Sequence, residues 1–158
     1  PEFRTLGLVE GDATLSPPAP PDGMRSHLFE LTPRPGQGIL GARPTRGLEL
    51  VLISPKTPDG AQALRDWGDF VHIRDIAAAA PPHFKMITPY VNARADEPRF
   101  MHLYELDTDD PEPAFKEMTP ATRRWAEAFG GHSWEEWSGH PELVIEYVNT
   151  FRWLGERA

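Results

Sequence analysis

Cysteine is absent from the 158 residues. That excludes disulfides, thiolate nucleophiles and Cys-ligated zinc or iron–sulfur centres. Positive charge is scarce: Lys and Arg total 16 against 24 Asp and Glu, for a net charge of −8. An acidic chain lacks the basic footprint of a nucleic-acid binder. No run approaches the roughly 18 consecutive apolar residues of a membrane span. No stretch has the basic, apolar, small-residue order of a secretory leader, so the expected location is cytoplasmic. No Met opens the chain. It starts Pro1-Glu2-Phe3, which resembles a fusion-vector scar, and the first Met is Met24. A native start at Met24 would leave everything up to residue 23 outside fold reasoning.

The length fits one domain. At this mass about two-thirds of the unfolded surface can be buried, so a sizeable core needs no covalent staple. Residues 1–46 are rich in proline and glycine and have little hydrophobic periodicity, so they read as an arm. Within it, His27 to Leu31 alternates weakly and is read as a short strand or a docking segment. Residues 47–158 form the domain. Leu48–Ser54 is an apolar strand ended by Pro55. Asp59 is the expected N-cap of a helix over 60–79, which Pro81 and Pro82 terminate. Phe84–Asn92 is an edge or bulged strand because it contains Pro89, with Phe84, Met86, Thr88 and Tyr90 on one face. After a polar hairpin, Phe100–Asp107 carries Phe100, His102, Tyr104 and Leu106 on one face. Asp109 and Asp110 before Pro111 start a helix over 111–118. Thr119-Pro120 repeats the signal for a second helix over 120–129, stopped by Gly130-Gly131. Ser133–Trp137 is one helical turn. Leu143–Trp153 closes the chain as a strand, with Leu143, Ile145, Tyr147 and Phe151 together.

The order β-α-β-β-α-β predicts an α+β, ferredoxin-like antiparallel sheet with both helices on one face. The other face is apolar and needs cover, which a second copy would supply. Gly36-Gln37-Gly38-Ile39-Leu40-Gly41 matches the dinucleotide-binding pattern literally. No helix can open after it, because Pro44 and Gly47 follow, so the match is set aside.

Leu48 to Ile53, Trp67-x-Asp69-x-x-His72-Ile73-x-Asp75-Ile76, Phe100-Met101-His102-Leu103-Tyr104-Glu105-Leu106 and Phe151-Arg152-Trp153-Leu154-Gly155 together resemble the dimeric α+β barrel proteins of the EthD-like kind. The resemblance covers residues 47–156. It implies two ferredoxin-like subunits packed sheet to sheet, each with a small-molecule pocket between its sheet and its helices. Proteins of that superfamily include polyketide cyclases, lactone isomerases, haem-degrading monooxygenases and cofactor-free quinol oxygenases. The resemblance therefore narrows architecture more than chemistry.

His72 is the first candidate for chemistry. On a helix it has Asp69 and Asp75 three residues to either side, and a bonded carboxylate would fix its tautomer for general-base work. The plainer reading is a helix-end histidine making ion pairs. His102 and Tyr104 share one strand face and suit substrate polarisation; the plainer reading is a packed face. Phe70, Phe84, Thr88, Tyr90, Phe100 and Trp125 are the expected substrate-binding walls, and Asn92 a further hydrogen-bonding group. His132 and His140 flank Trp134 and Trp137 in a segment read as a lid or, more plainly, as an anchored loop. No metal-ligand spacing occurs, so no metal site is expected. The expected function is a homodimeric, cofactor-independent acid–base enzyme of lyase or isomerase type, polyketide cyclase-like. Its substrate would be an apolar carbonyl-bearing or aromatic metabolite. The alternatives are a haem-handling or cofactor-free monooxygenase, with His72 or His102 as axial ligand to any haem, and a non-catalytic ligand-binding dimer.

Overall fold

A computed structural model describes residues 5–12, 14, 16, 19–32 and 43–155. The Pro1-Glu2-Phe3 reading and the whole Gly36–Gly41 match lie outside the described residues. The elements are β1 (Phe29–Leu31), β2 (Gly47–Pro55), α1 (Ala61–Trp67), α2 (Ile73–Ala79), β3 (Phe84–Asn92), β4 (Phe100–Leu106), α3 (Pro111–Trp125), α4 (Trp134–Ser138) and β5 (Leu143–Arg152). The five strands form one antiparallel sheet in the order β1-β3-β4-β2-β5. The protein is thus α+β, with helices packed on a five-stranded sheet. No described helix is long and apolar enough to cross a membrane.

β2 pairs with β4 on one side, from Gly47↔Leu106 to Ile53↔Phe100, and with β5 on the other. A strand covered on both faces needs apolar residues on both. Leu50 and Leu52 join Met101 and Leu103 on the face away from the helices. Ile53, with Phe100, packs against Leu64 and Trp67 of α1. Tyr104 and Leu106 pack with Ile73 and Ile76 of α2 and with Ala114 and Met118 of α3. The arm is partly absorbed into this fold. β1 adds a fifth strand beside β3, and Leu6 packs on the helix-free face.

Two bulges change the expected faces. β3 shifts register between Phe84, opposite Leu106, and Met86, opposite Glu105. Phe84 therefore enters the helix-side core, whereas Thr88 faces Leu103 and Tyr90 faces Met101 on the opposite side. In β5, Leu52 pairs with Tyr147 and Ile53 with Ile145, so Glu146 is skipped. Its carboxylate accepts the Ser54 hydroxyl instead. The extra residue splits the expected face: Leu143 packs on the helix side, Tyr147 and Phe151 on the other.

The helices depart from expectation in three ways. Thr57, not Asp59, caps the first turn, accepting from the Gly60 N–H at 3.2 Å. Pro120 does not begin a new helix, because α3 runs through it. Ala114, Met118 and Thr122 form one buried stripe at a spacing of four, and Pro120 lies on the exposed face. There the carbonyl left without its partner is solvated, and the buried stripe outweighs the local cost of about 3 kcal/mol. Finally, two π-helical turns occur, Gly68–His72 between α1 and α2 and Ala126–Gly130 after α3. Such turns each admit one extra residue and recur at functional sites.

Candidate functional site

The two π-turns converge on Asp75. It lies on α2, three residues past the first turn, and its side chain is fully buried. A buried carboxylate must have its oxygens satisfied. Arg74 serves Oδ1 with two N–H groups, Nε at 2.9 Å and Nη2 at 2.7 Å. Oδ2 lies 3.2 Å from Nδ1 of His132. Arg74 Nη2 also donates to the Gly130 carbonyl at 3.1 Å and stands 3.1 Å from His132 Nδ1. The end of the second π-turn is thereby tied to α2.

Gly130 makes this approach possible. A Cβ there would sit 3.2 Å from Asp75 Oδ2 and 2.9 Å from the Trp125 ring. Gly131 follows in the left-handed region at φ 74°, open to glycine without strain, and turns the chain toward His132.

His132 Nδ1 cannot both donate to Asp75 and accept from Arg74. Arg74 Nη2 has Asp75 Oδ1 and the Gly130 carbonyl as other acceptors, whereas Oδ2 has only His132 among the described residues. An unsatisfied buried carboxylate oxygen costs about 1–3 kcal/mol or more. The proton therefore sits on Nδ1, and Nε2, which makes no hydrogen bond among the described residues, is left with its lone pair on a side chain 24 % exposed.

His72 has a different environment. Its ring stacks on Trp137, with centroids 4.7 Å apart, and lies 4.9 Å from the Trp67 ring. Nδ1–H donates to the Trp137 carbonyl at 3.0 Å, and the Trp137 indole N–H donates back to the His72 carbonyl. Burial holds His72 below the ordinary imidazole range, partly offset by the Trp137 carbonyl and the Asp75 charge. It is thus a neutral ring clamping α4 to the first π-turn. Asp75 acts on it through charge alone, and its hydrogen bond goes to His132. Asp69 is buried and faces Arg65 at 4.0 Å.

His102 and Tyr104 do share a face, as expected, but both are buried in the core, 3 % and 1 % exposed. Tyr104 meets Phe84 edge to face, and Gly68 comes close to the His102 ring. Phe100 is likewise core. Thr88, Tyr90 and Asn92 do not join them. The β3 bulge puts Thr88 and Tyr90 on the other side of the sheet, and Asn92 closes the hairpin by donating to the Pro98 carbonyl. Trp125 is half-buried against Gly130, and Phe70 is exposed. Trp137 is core, and Ser133 and Glu136 close a capping box at the start of α4, so this segment is anchored. His140 caps the turn into β5 by accepting the Glu142 N–H. A cavity of about 300 Å³ lies by the β3–β4 hairpin, lined by residues including His27, Arg94 and Asp96, and neither member of the Asp75–His132 dyad lines it. Among the described residues no group of three or more His, Asp or Glu is placed to hold a metal ion.

Sequence spacing set Asp75 within reach of His72, whereas its imidazole hydrogen bond is with His132. Its partner lies 57 residues away, and the only local signal was a Gly-Gly pair read as a helix stop. No protein-family model, curated protein or solved structure matches the chain.

Proposed function

We propose that the protein is a small acid–base enzyme in which His132 transfers the proton and Asp75 orients it. The observation that carries this reading is the 3.2 Å contact between His132 Nδ1 and a fully buried carboxylate. A carboxylate in that position fixes the tautomer and leaves the far nitrogen as the acceptor. Nε2 takes a proton from carbon next to a carbonyl, leaving an enolate, and the imidazolium returns it to carbon or oxygen. Isomerases, dehydratases and decarboxylating lyases acting on apolar carbonyl-bearing or aromatic metabolites use such steps. Proton transfer of this kind needs no metal or organic cofactor. His72, Asp69, His102 and Tyr104 then serve as the packed support of the site.

The architecture proposed with it is a ferredoxin-like subunit of the dimeric α+β barrel kind. Support comes from the spatial order β3-β4-β2-β5, from helices between β2 and β3 and between β4 and β5, and from the apolar face opposite them.

The test is the tautomer of His132, read by ¹⁵N NMR of imidazole-labelled protein. We expect the proton on Nδ1 in wild type, and its loss from that nitrogen in Asp75→Asn. Deuterium exchange into a panel of 1,3-dicarbonyl compounds supplies the second readout. His132→Gln should abolish it, and Asp75→Asn should slow it by on the order of 10²–10⁴. A proton on Nε2 in wild type, with Nδ1 accepting from Arg74, makes the cluster a structural clasp and overturns the reading.

A further inference from the structure

Each π-turn pushes one aromatic ring into solvent. Phe70 in the first is 49 % exposed, and Phe129 in the second is 79 % exposed. Most exposed rings of this size on a monomer are single and need no explanation. These two share a neighbour. Phe70 is four residues before Arg74, about one turn along the same helical surface. Phe129 precedes Gly130, whose carbonyl holds Arg74. Arg74 thus lies a turn from Phe70 on its own helix and is held by the residue next to Phe129, and His132 Nδ1 stands 3.1 Å from it.

Arg74 is also held ready. Its Nε and Nη2 are committed to Asp75 and Gly130, which fixes the guanidinium plane. Its Nη1 makes no hydrogen bond among the described residues, and the side chain is 44 % exposed. A fixed guanidinium N–H pair recognises a carboxylate, enolate or polarised carbonyl oxygen. The Asp75 charge offsets that of Arg74, so the site recognises one oxygen by hydrogen bonding and gives no long-range pull on polyanions.

We propose that Phe70, Arg74, Phe129 and His132 form the substrate surface of the dyad. Its ligand class is a flat apolar molecule with a single carboxylate or enolisable carbonyl. The rings cover the flat faces, Arg74 Nη1 takes the oxygen, and His132 Nε2 meets the neighbouring carbon. This rests on the acid–base reading and deepens it.

The probe is 2-naphthoate, titrated into the full chain with ¹H–¹⁵N NMR, against 2-naphthylmethanol as the neutral analogue. Naphthoate should bind more tightly than the alcohol, with the largest shifts at residues 70–74 and 129–132. Phe129→Ser should weaken it at least about fivefold with no change in melting temperature, because the ring is exposed. Arg74→Lys should erase the preference over the alcohol. Equal binding of the two probes, shifts elsewhere, or full affinity in Phe129→Ser overturns the proposal. His132→Gln separates the two readings. Binding that survives while deuterium exchange is lost supports both. Exchange that proceeds without naphthoate binding sinks only the ligand class, and binding with exchange undiminished in His132→Gln sinks only the base.

Discussion

Glu49 is the residue whose chemistry departs most from its usual state. It sits in β2 opposite Tyr104, 1 % exposed, and its Oε2 has no partner among the described residues. Burial alone pushes its carboxyl up to about 8. Burial, and then the Glu49 charge, also raise the Tyr104 phenol well above its ordinary range. At neutral pH the folded protein therefore holds a proton on Glu49 that the unfolded chain has released. Stability from this group is full below the unfolded value near 4.5 and falls as pH rises, by about 1.4 kcal/mol per unit. It levels off above about 8. Glu49→Gln keeps the shape and removes the titration. Its melting temperature should match wild type near pH 4 and exceed it at pH 8, with the gap opening between. Parallel pH–stability curves for the two proteins would show that Glu49 is solvated and ionised. Its position on β2 was plain in the sequence as one polar residue in an apolar run. Its burial was not, because that depends on α3 packing over β2, a contact between distant segments.

At the scale of elements, Gly130 and Gly131 make a controlled pair. Gly130→Ala drives a Cβ toward Trp125 and Asp75, whereas Gly131→Ala meets nothing within 4 Å but must hold φ 74°. Crowding of this kind costs about 1–3 kcal/mol, and a left-handed alanine about 1–2 kcal/mol. Both variants should therefore lose similar stability in chemical denaturation. Only Gly130→Ala should shift the His132 imidazole resonances, since only it presses on the Asp75 carboxylate. Equal shifts in both would detach the second π-turn from the dyad. The same scale shows what sequence reveals and what it hides. Strands β2 to β5 were legible because an apolar run of strand length marks β2 and apolar residues at period two mark the other three. A bulge in the Pro89 strand was expected, but its place at Phe84/Met86 and the bulge at Glu146 were not legible, since one inserted residue leaves no compositional trace yet inverts every side chain beyond it. That is why Thr88 and Tyr90 were assigned to the wrong face. Pro120 misled for the converse reason: the local stop signal was real, and tertiary packing overrode it.

At the scale of the whole molecule, the helix-free sheet face is where the second copy of the proposed barrel would pack. Leu50, Leu52, Met101 and Leu103 are buried there, fringed by half-buried Leu48, Tyr90, Tyr147 and Phe151. Leu6 of the arm lies on the same cluster. A second copy packed face to face would bury the fringe and must compete with Leu6 for the same ground. Two outcomes follow from that competition. If the proposed face-to-face dimer forms, Phe151→Glu puts a charge on the fringe of its interface and should turn it into monomer in sedimentation equilibrium, with a small loss of monomer stability because the ring is only half-buried. A chain shortened to begin at Met24 removes Leu6 and frees the face. Its dimer should be tighter than that of the full chain, by the free energy with which the arm covers the cluster. Weaker dimerisation on shortening would mean instead that the arm crosses to the partner. An association constant indifferent to both changes would place the interface elsewhere and leave the arm as the permanent cover of this face, with no second copy required to hide it.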